Sequence, residues 1–283
     1  MEAVSDRSLL RPELVAAMAP YARFLDVRWV LGRDDGHLQY LAGHVPGAVY
    51  VDLETDLSDP VGDGSRGRHP LPDPDRFAAA MRRCGVRRDQ PVVVYDDYRG
   101  VAATRAWWLL TYHGHPDVRV LDGGWPAYLA AGGAVDVGEV DAPPSDFRPD
   151  PGHLPVLDAG EAARVAREGL LVDVRAPERF RGEHEPLDPV AGHIPGAANI
   201  PFPENLVAGS HDTERFRDAD DAAVRYAERG VVRRREVGVY CGSGVTATHT
   251  VFALHRIGVT AALYPGSWSE WVADPQRPVA TGT

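Results

Sequence analysis

The sequence predicts an α/β protein of two tandem domains, each a parallel sheet flanked by helices on both faces. Three observations carry this reading: the chain length, an internal repeat, and strand-like runs that alternate with helical patterns. At 283 residues and a usual domain size of about 150 residues, the chain holds two domains. Four landmarks recur in one order at offsets between 143 and 149 residues. Asp26-Val27-Arg28 returns as Asp173-Val174-Arg175, and Gly43-His44-Val45-Pro46-Gly47-Ala48 as Gly192-His193-Ile194-Pro195-Gly196-Ala197. Val92–Tyr95 returns as Val237–Tyr240, and Gly124-Trp125 as Ser267-Trp268. Such self-similarity is the mark of a duplicated domain. We therefore read residues 1–132 as an N-terminal domain and 156–283 as a C-terminal one. Residues 133–155 are rich in proline, which cannot continue a helix or a central strand, and read as an extended linker.

Within each copy the elements follow in order. Phe24–Val27 reads as a buried strand, Asp75–Arg83 as a helix after Pro74, Pro91–Tyr95 as a strand, Val101–Tyr112 as a helix and Val118–Leu121 as a strand. In the second copy Ala159–Arg167 is helical, Leu170–Val174 a strand, Ala219–Arg229 a helix, Glu236–Tyr240 a strand, Thr246–Arg256 a helix and Thr260–Leu263 a strand. Strands alternating with helices imply a parallel sheet, and its uninterrupted apolar runs imply cover on both faces.

Composition narrows the function. The net charge is −11, so phosphate backbones and anionic lipid are not attracted, and neither a nucleic acid nor a membrane is an expected partner. All 30 basic residues are arginine, which excludes lysine Schiff-base chemistry and a lysine phosphate loop. Two cysteines make no disulfide framework. Met1–Leu10 lacks the apolar core of a signal peptide, and no apolar run approaches the roughly 20 residues of a membrane helix. A cytoplasmic protein, a monomer or weak homodimer, is expected.

The chemistry is concentrated after the strand Val237–Tyr240. Cys241 opens Cys241-Gly242-Ser243-Gly244-Val245-Thr246, and a helix follows. In such sheets ligands bind beyond the carboxyl ends of the strands. Gly242 and Gly244 allow the backbone N–H groups through Val245 and Thr246 to turn inward as an anion nest, and the helix N-terminus adds positive potential. Such a place favours a thiolate. In the first copy Asp96 stands where Cys241 stands, and a carboxylate is no sulfur nucleophile, so that copy reads as catalytically inactive. Cys84 has no nest around it and reads as a packing residue at a helix end. His113 and His115 lie close together but lack the Cys or carboxylate company of a metal site. Neither a metal nor a cofactor is expected.

These residues together resemble the tandem-domain rhodanese-type sulfurtransferases over nearly the whole chain: two tandem rhodanese-like domains. The resemblance implies that Cys241 carries a persulfide during turnover. The Cys-Gly-Ser-Gly-Val-Thr loop is most similar to the 3-mercaptopyruvate branch of the family. Thiosulfate enzymes of the family carry an arginine and a lysine where this chain has Gly242 and Ser243. The physics agrees, because thiosulfate is a compact dianion that gains from two cations, whereas mercaptopyruvate needs one arginine for its carboxylate and neutral donors near sulfur. By resemblance Arg179 binds the substrate, while Arg175 is structural. The same branch implies a serine–histidine–acid relay of Ser243 and His69, with Glu54 as the acid and Asp52 as its alternative. Two departures stand out. The loop Glu183–Asp188 lacks the family's second arginine, leaving His184 or another arginine to replace it, and Pro265 stands where an aspartate precedes Gly-Ser-Trp.

The expected reaction is transfer of sulfur from 3-mercaptopyruvate, or alternatively thiosulfate, through Cys241 to a thiol such as thioredoxin or to cyanide. A cysteine phosphatase would need an arginine six positions after the cysteine, where this chain has Ala247. A non-catalytic binding module would not need the intact Cys241 nest.

Overall fold

The computed structural model describes residues 7–209, 213–232 and 234–283. Of the N-terminal stretch Met1–Leu10, the first six residues lie outside the described residues. The chain forms two compact units. One holds Met1–Ser58, Pro72–His153 and Val207–Phe216, and the other holds Asp59–Leu71, Leu154–Leu206 and Arg217–Thr283. Two segments therefore cross the boundaries expected from the repeat. Asp59–Leu71 belongs with the second unit, where the N–H of Arg68 donates to Ser269 Oγ at 3.1 Å. Val207–Phe216 belongs with the first, where the N–H of Phe216 donates to Asp122 at 3.0 Å.

The first unit contains β1 (Leu9–Leu10), α1 (Val15–Met18), β2 (Arg23–Asp26), α2 (Gly36–Ala42), β3 (Val49–Tyr50), α3 (Leu53–Asp56), α4 (Pro74–Arg83), β4 (Val92–Tyr95), α5 (Val101–Tyr112), β5 (Val118–Leu121) and α6 (Gly124–Ala130). Its five strands are parallel in the order β1-β5-β4-β2-β3. The second unit contains α7 (Ala159–Glu168), β6 (Leu170–Asp173), α8 (Pro177–Phe180) and β7 (Ala198–Asn199). A short ribbon, β8 (Leu206–Ala208) with β9 (Glu214–Phe216), comes next, then α9 (Ala219–Glu228), β10 (Val237–Tyr240), α10 (Thr246–Arg256), β11 (Ala262–Leu263) and α11 (Ser267–Trp271). Its sheet is parallel in the order β11-β10-β6-β7. All four residues of β4, β6 and β10 are buried, as strands covered on both faces must be. Side-chain caps fix two helix starts: Asp158 and Glu161 form a reciprocal capping box on α7, and Pro74 occupies the first turn of α4 behind the Asp73 cap.

The linker is extended, but it is tied down along the first unit. Ser145 donates to the Arg82 carbonyl, Asp150 to the His113 carbonyl and Gly152 to the Tyr112 carbonyl, and Phe147 is buried edge-on to Phe77. At its end Leu157 donates to the Leu263 carbonyl at 2.8 Å, so that Val156 pairs in parallel beside β11, as β1 does beside β5 in the first sheet.

The repeated landmarks meet in space. In each unit the arginine of Asp-Val-Arg forms a buried pair with its own aspartate, at 2.6 Å for Arg28–Asp26 and 2.7 Å for Arg175–Asp173. The same guanidinium donates to the carbonyl of Gly43 or Gly192 and lies over the ring of Trp125 or Trp268 at 5.0 and 4.7 Å. The phenol oxygens of Tyr95 and Tyr240 each accept, at 3.1 Å, from the N–H of Val45 and Ile194. One buried arginine thus joins the strand end, the glycine loop and the tryptophan, and Arg175 is structural.

Candidate active site

Cys241 follows β10 directly, and five residues, 241–245, separate that strand from α10. The loop carbonyls turn away from the sulfur. Cys241 O accepts from Trp268 N–H at 3.0 Å and Gly242 O from Ser269 N–H at 2.9 Å. This leaves the loop N–H groups turned the other way, and Gly244 N–H reaches Cys241 Sγ at 3.2 Å. Gly244 has φ +82°, and a Cβ there would lie 2.2 Å from the Pro265 carbonyl oxygen, so only glycine closes this turn. Val245 is buried, and its carbonyl accepts the Thr248 hydroxyl at 2.7 Å. Thr246 begins α10, directing the helix N-terminus toward the loop. Ser267 Oγ accepts from Cys241 N–H at 3.1 Å and donates to the Tyr264 carbonyl. Ser267 does this from φ +54°, a conformation uncommon outside glycine.

The segment Asp59–Leu71 brings His69 to the loop. A left-handed Gly67 (φ +80°) sits with its Cα side 2.6 Å, by an added Cβ, from the Gly266 carbonyl, so the turn rests directly on the start of α11. His69 Nδ1 and Ser243 Oγ are 2.7 Å apart, and both residues are buried. The hydroxyl is therefore oriented by the imidazole. Glu54, expected as the acid partner, lies in the first unit and accepts from Trp29 Nε1 at 2.8 Å; Asp52 caps α3. The His69 segment carries two carboxylates of its own: Asp59, whose N–H donates to the Pro70 carbonyl at 3.1 Å and whose side chain pairs with Arg66, and Asp63, which accepts from the Ser65 N–H at 2.9 Å.

Arg179 reaches the same place from α8. Its guanidinium lies 3.5 and 3.6 Å from where a Gly242 Cβ would stand. Glu185 holds it at 2.7 and 3.0 Å, and Asp188 at 3.3 Å. A second arginine, Arg68, approaches the same point. Its Nη2 lies 3.0 Å from the same Gly242 point, Asp188 pairs with it, and its buried Nε has no partner among the described residues. His184 is exposed. Burial pushes the Glu185 carboxyl up, but the hydrogen bonds and charge of Arg179 outweigh this and hold it below the usual range. For Asp188 burial wins over Arg68 and Arg179, and its carboxyl is raised. The site therefore combines a thiol, loop N–H donors, an oriented hydroxyl and two guanidinium forks suited to a carboxylate. Burial pushes the other thiol, Cys84, up to about 11, leaving it a packing group at the end of α4.

The corresponding loop of the first unit, 96–100, has the same length. There the Asp96 carboxylate accepts from the N–H groups of Tyr98, Gly100, Ala102 and Ala103 at 2.8–3.0 Å. Burial pushes this carboxyl up to about 6, against the pull of those donors.

A family model described as the rhodanese-like domain matches residues 11–131 and 158–274. A Mycobacterium tuberculosis protein named "Putative thiosulfate sulfurtransferase SseB" is 49% identical over 269 residues, spanning 92% of this chain and 90% of that one. A Pseudomonas aeruginosa protein named "Probable 3-mercaptopyruvate sulfurtransferase" is 46% identical over 289 residues, spanning 99% of this chain and 100% of that one. The solved 3-mercaptopyruvate sulfurtransferase from Leishmania major superimposes with a TM-score of 0.83 at 30% identity, covering 97% of this chain and 76% of that one. With both halves matched and relatives of this similarity along almost its whole length, the chain belongs to the rhodanese family and is a sulfurtransferase.

Proposed function

We propose that this sulfurtransferase takes sulfur from 3-mercaptopyruvate. The observation that carries the reading is the 2.7 Å contact of Ser243 with His69 in a cysteine loop that has no cation of its own. Arg179 and Arg68 bind the donor carboxylate, and the Ser243 hydroxyl faces the donor ketone. The Cys241 thiolate attacks the donor sulfur; the C–S bond breaks and its electron pair leaves as pyruvate enolate, which takes up a proton. Loop N–H groups, including that of Gly244, stabilise the persulfide. An acceptor thiol, or cyanide, then attacks the outer sulfur and returns Cys241 as thiolate, a two-step ping-pong scheme. In this scheme His69 orients Ser243 and relays the proton. Two guanidiniums beside Gly242 also suit a dianion, and this favours thiosulfate as the second reading.

Side-by-side assays with 3-mercaptopyruvate and thiosulfate, cyanide as acceptor and Cys241→Ser as blank, separate the two. The expected result is a kcat/KM at least tenfold higher for mercaptopyruvate, about 1.4 kcal/mol of discrimination. A preference for thiosulfate reverses the assignment. No helix among the described residues is long and apolar enough to cross a membrane; a cytoplasmic location, and a monomer or weak homodimer, complete the proposal.

A further inference from the structure

The two guanidiniums beside Gly242 are not free charges. Glu185 takes Arg179 Nε and Nη2 at 3.0 and 2.7 Å, and its oxygen on Nε also accepts from Arg175 Nη1 at 3.2 Å. Asp188 accepts from Arg68 Nη1 through one oxygen and from Arg179 Nη2, at 3.3 Å, through the other. Arg175 is paired with Asp173. Three guanidiniums thus share three carboxylates, and the cluster carries no net charge.

The two acids of the loop after α8 have different places in it. Glu185 is framework: it joins Arg179 to the structural Arg175, and its other oxygen accepts from the N–H groups of Leu187 and Asp188 at 3.1 and 3.3 Å. Asp188 alone bridges the two guanidiniums that approach the Cys241 loop. Its side chain is 3% exposed, so salt screens its charge weakly. Arg68 Nη2 and Arg179 Nη1, which none of these bonds uses, lie 3.0 and 3.6 Å from the Gly242 point. The hydrogen-bond donors of two arginines are therefore offered to a ligand, but their charge is already balanced. A monoanion finds the donors it needs. A dianion gives up the hydration of a second charge and finds no uncompensated cation in return.

We propose that Asp188 is a specificity-determining residue of the donor site: by bridging Arg68 and Arg179 it removes the positive charge that a dianion such as thiosulfate would need, while leaving N–H groups free for a monoanionic carboxylate. Selection of this kind works against the wrong ligand rather than for the right one. The inference rests on the reading of Arg68 and Arg179 as the donor's anion site.

The test is steady-state sulfur transfer to cyanide from thiosulfate and from 3-mercaptopyruvate, at constant ionic strength, in the parent, Asp188→Asn and Asp188→Glu. Asparagine keeps the shape and removes the charge. The ratio of kcat/KM for thiosulfate to that for mercaptopyruvate should rise at least tenfold in Asp188→Asn. Asp188→Glu, which keeps the charge, should stay within about threefold of the parent ratio. A merely structural role would lower both donors together and leave the ratio unmoved. The parent supplies a second reading without mutation: sulfate, a dianion with no sulfur to give, should inhibit the mercaptopyruvate reaction no more strongly than acetate. An unchanged ratio in Asp188→Asn, an equal rise in Asp188→Glu, or inhibition of the parent by sulfate at least tenfold stronger than by acetate would overturn the proposal. The donor assignment is read from the parent's own ratio and the role of Asp188 from the change in it, so either can fail alone.

Discussion

The Asp96 loop and the Cys241 loop are the same five-residue device in two chemical states. Each follows a fully buried strand and opens onto a helix. Each has its first carbonyl held by the backbone N–H of a tryptophan, at 2.8 Å for Trp125 and 3.0 Å for Trp268. In the first unit the nest is filled by the loop's own carboxylate, which takes four N–H donors. In the second the first side chain is a thiol that takes one, at 3.2 Å. The two loops differ at all five positions, and it is the first side chain that decides whether the loop's N–H groups are taken up by a carboxylate or left around a thiol. A second difference follows at Gly124 and Ser267. Both adopt positive φ, +60° and +54°, but only the serine has a hydroxyl to accept the Cys241 N–H. The first unit has glycine, which adopts this conformation freely, whereas the second accepts backbone strain at a serine that holds the Cys241 N–H.

Mutations break this comparison in order of size. Cys241→Ser should lower turnover by at least about 10³-fold, measured as cyanide-dependent sulfur transfer, because the hydroxyl cannot form a persulfide. His69→Gln should lower kcat by about 10²-fold or more with a flattened pH profile, the usual scale for a lost proton relay. Unchanged kinetics would remove the Ser243–His69 pair from the chemistry. Arg179→Ala should raise KM about 10-fold or more with a smaller change in kcat, as expected for a lost charged hydrogen bond to a carboxylate. Asp96→Ala should leave kcat/KM of the folded protein within about threefold while costing about 1–3 kcal/mol of stability, since buried N–H donors lose their acceptor. Chemical denaturation reads the second effect, and a large loss of rate in a folded variant would contradict an inactive first copy.

The smallest effect sharpens the comparison through pH. The Glu185 carboxyl is held below its usual range once the pull of Arg179 has outweighed burial. Such a group contributes stability that is fully present above its unfolded value of about 4.3 and is lost as pH falls through the folded value. Glu185→Gln should therefore be less stable than the parent near neutrality, and the gap should close in acid below pH about 4.3. A gap that stays constant with pH would mean that Glu185 acts by packing alone.

Much of this was legible beforehand because it is local. The helix Val101–Tyr112 lies where its pattern predicts, and β4, β6 and β10 fall within a residue of the apolar runs read as strands. Strands of two residues, such as Val49–Tyr50 and Ala198–Asn199, carry no periodicity and escape such a reading. Cys241, its glycines and Ser243 were visible because a nest must be built from consecutive residues. Arg68 was not, because its place beside Gly242 depends on a loop from the other half of the sequence.

By itself, then, the sequence determined the duplication, the parallel α/β architecture, and the cysteine loop of the second copy with an aspartate at the same place in the first. Each is encoded by neighbours along the chain, where periodicity, glycine and turn chemistry act over a few bonds. Only the tertiary structure decided that Asp59–Leu71 belongs with the second unit, that Arg68 lies beside Gly242, and that the Asp96 carboxylate is taken up by its own loop. These depend on which surfaces bury each other and where buried charges find partners. Such long-range choices are settled by packing and desolvation, and no short stretch of residues records them.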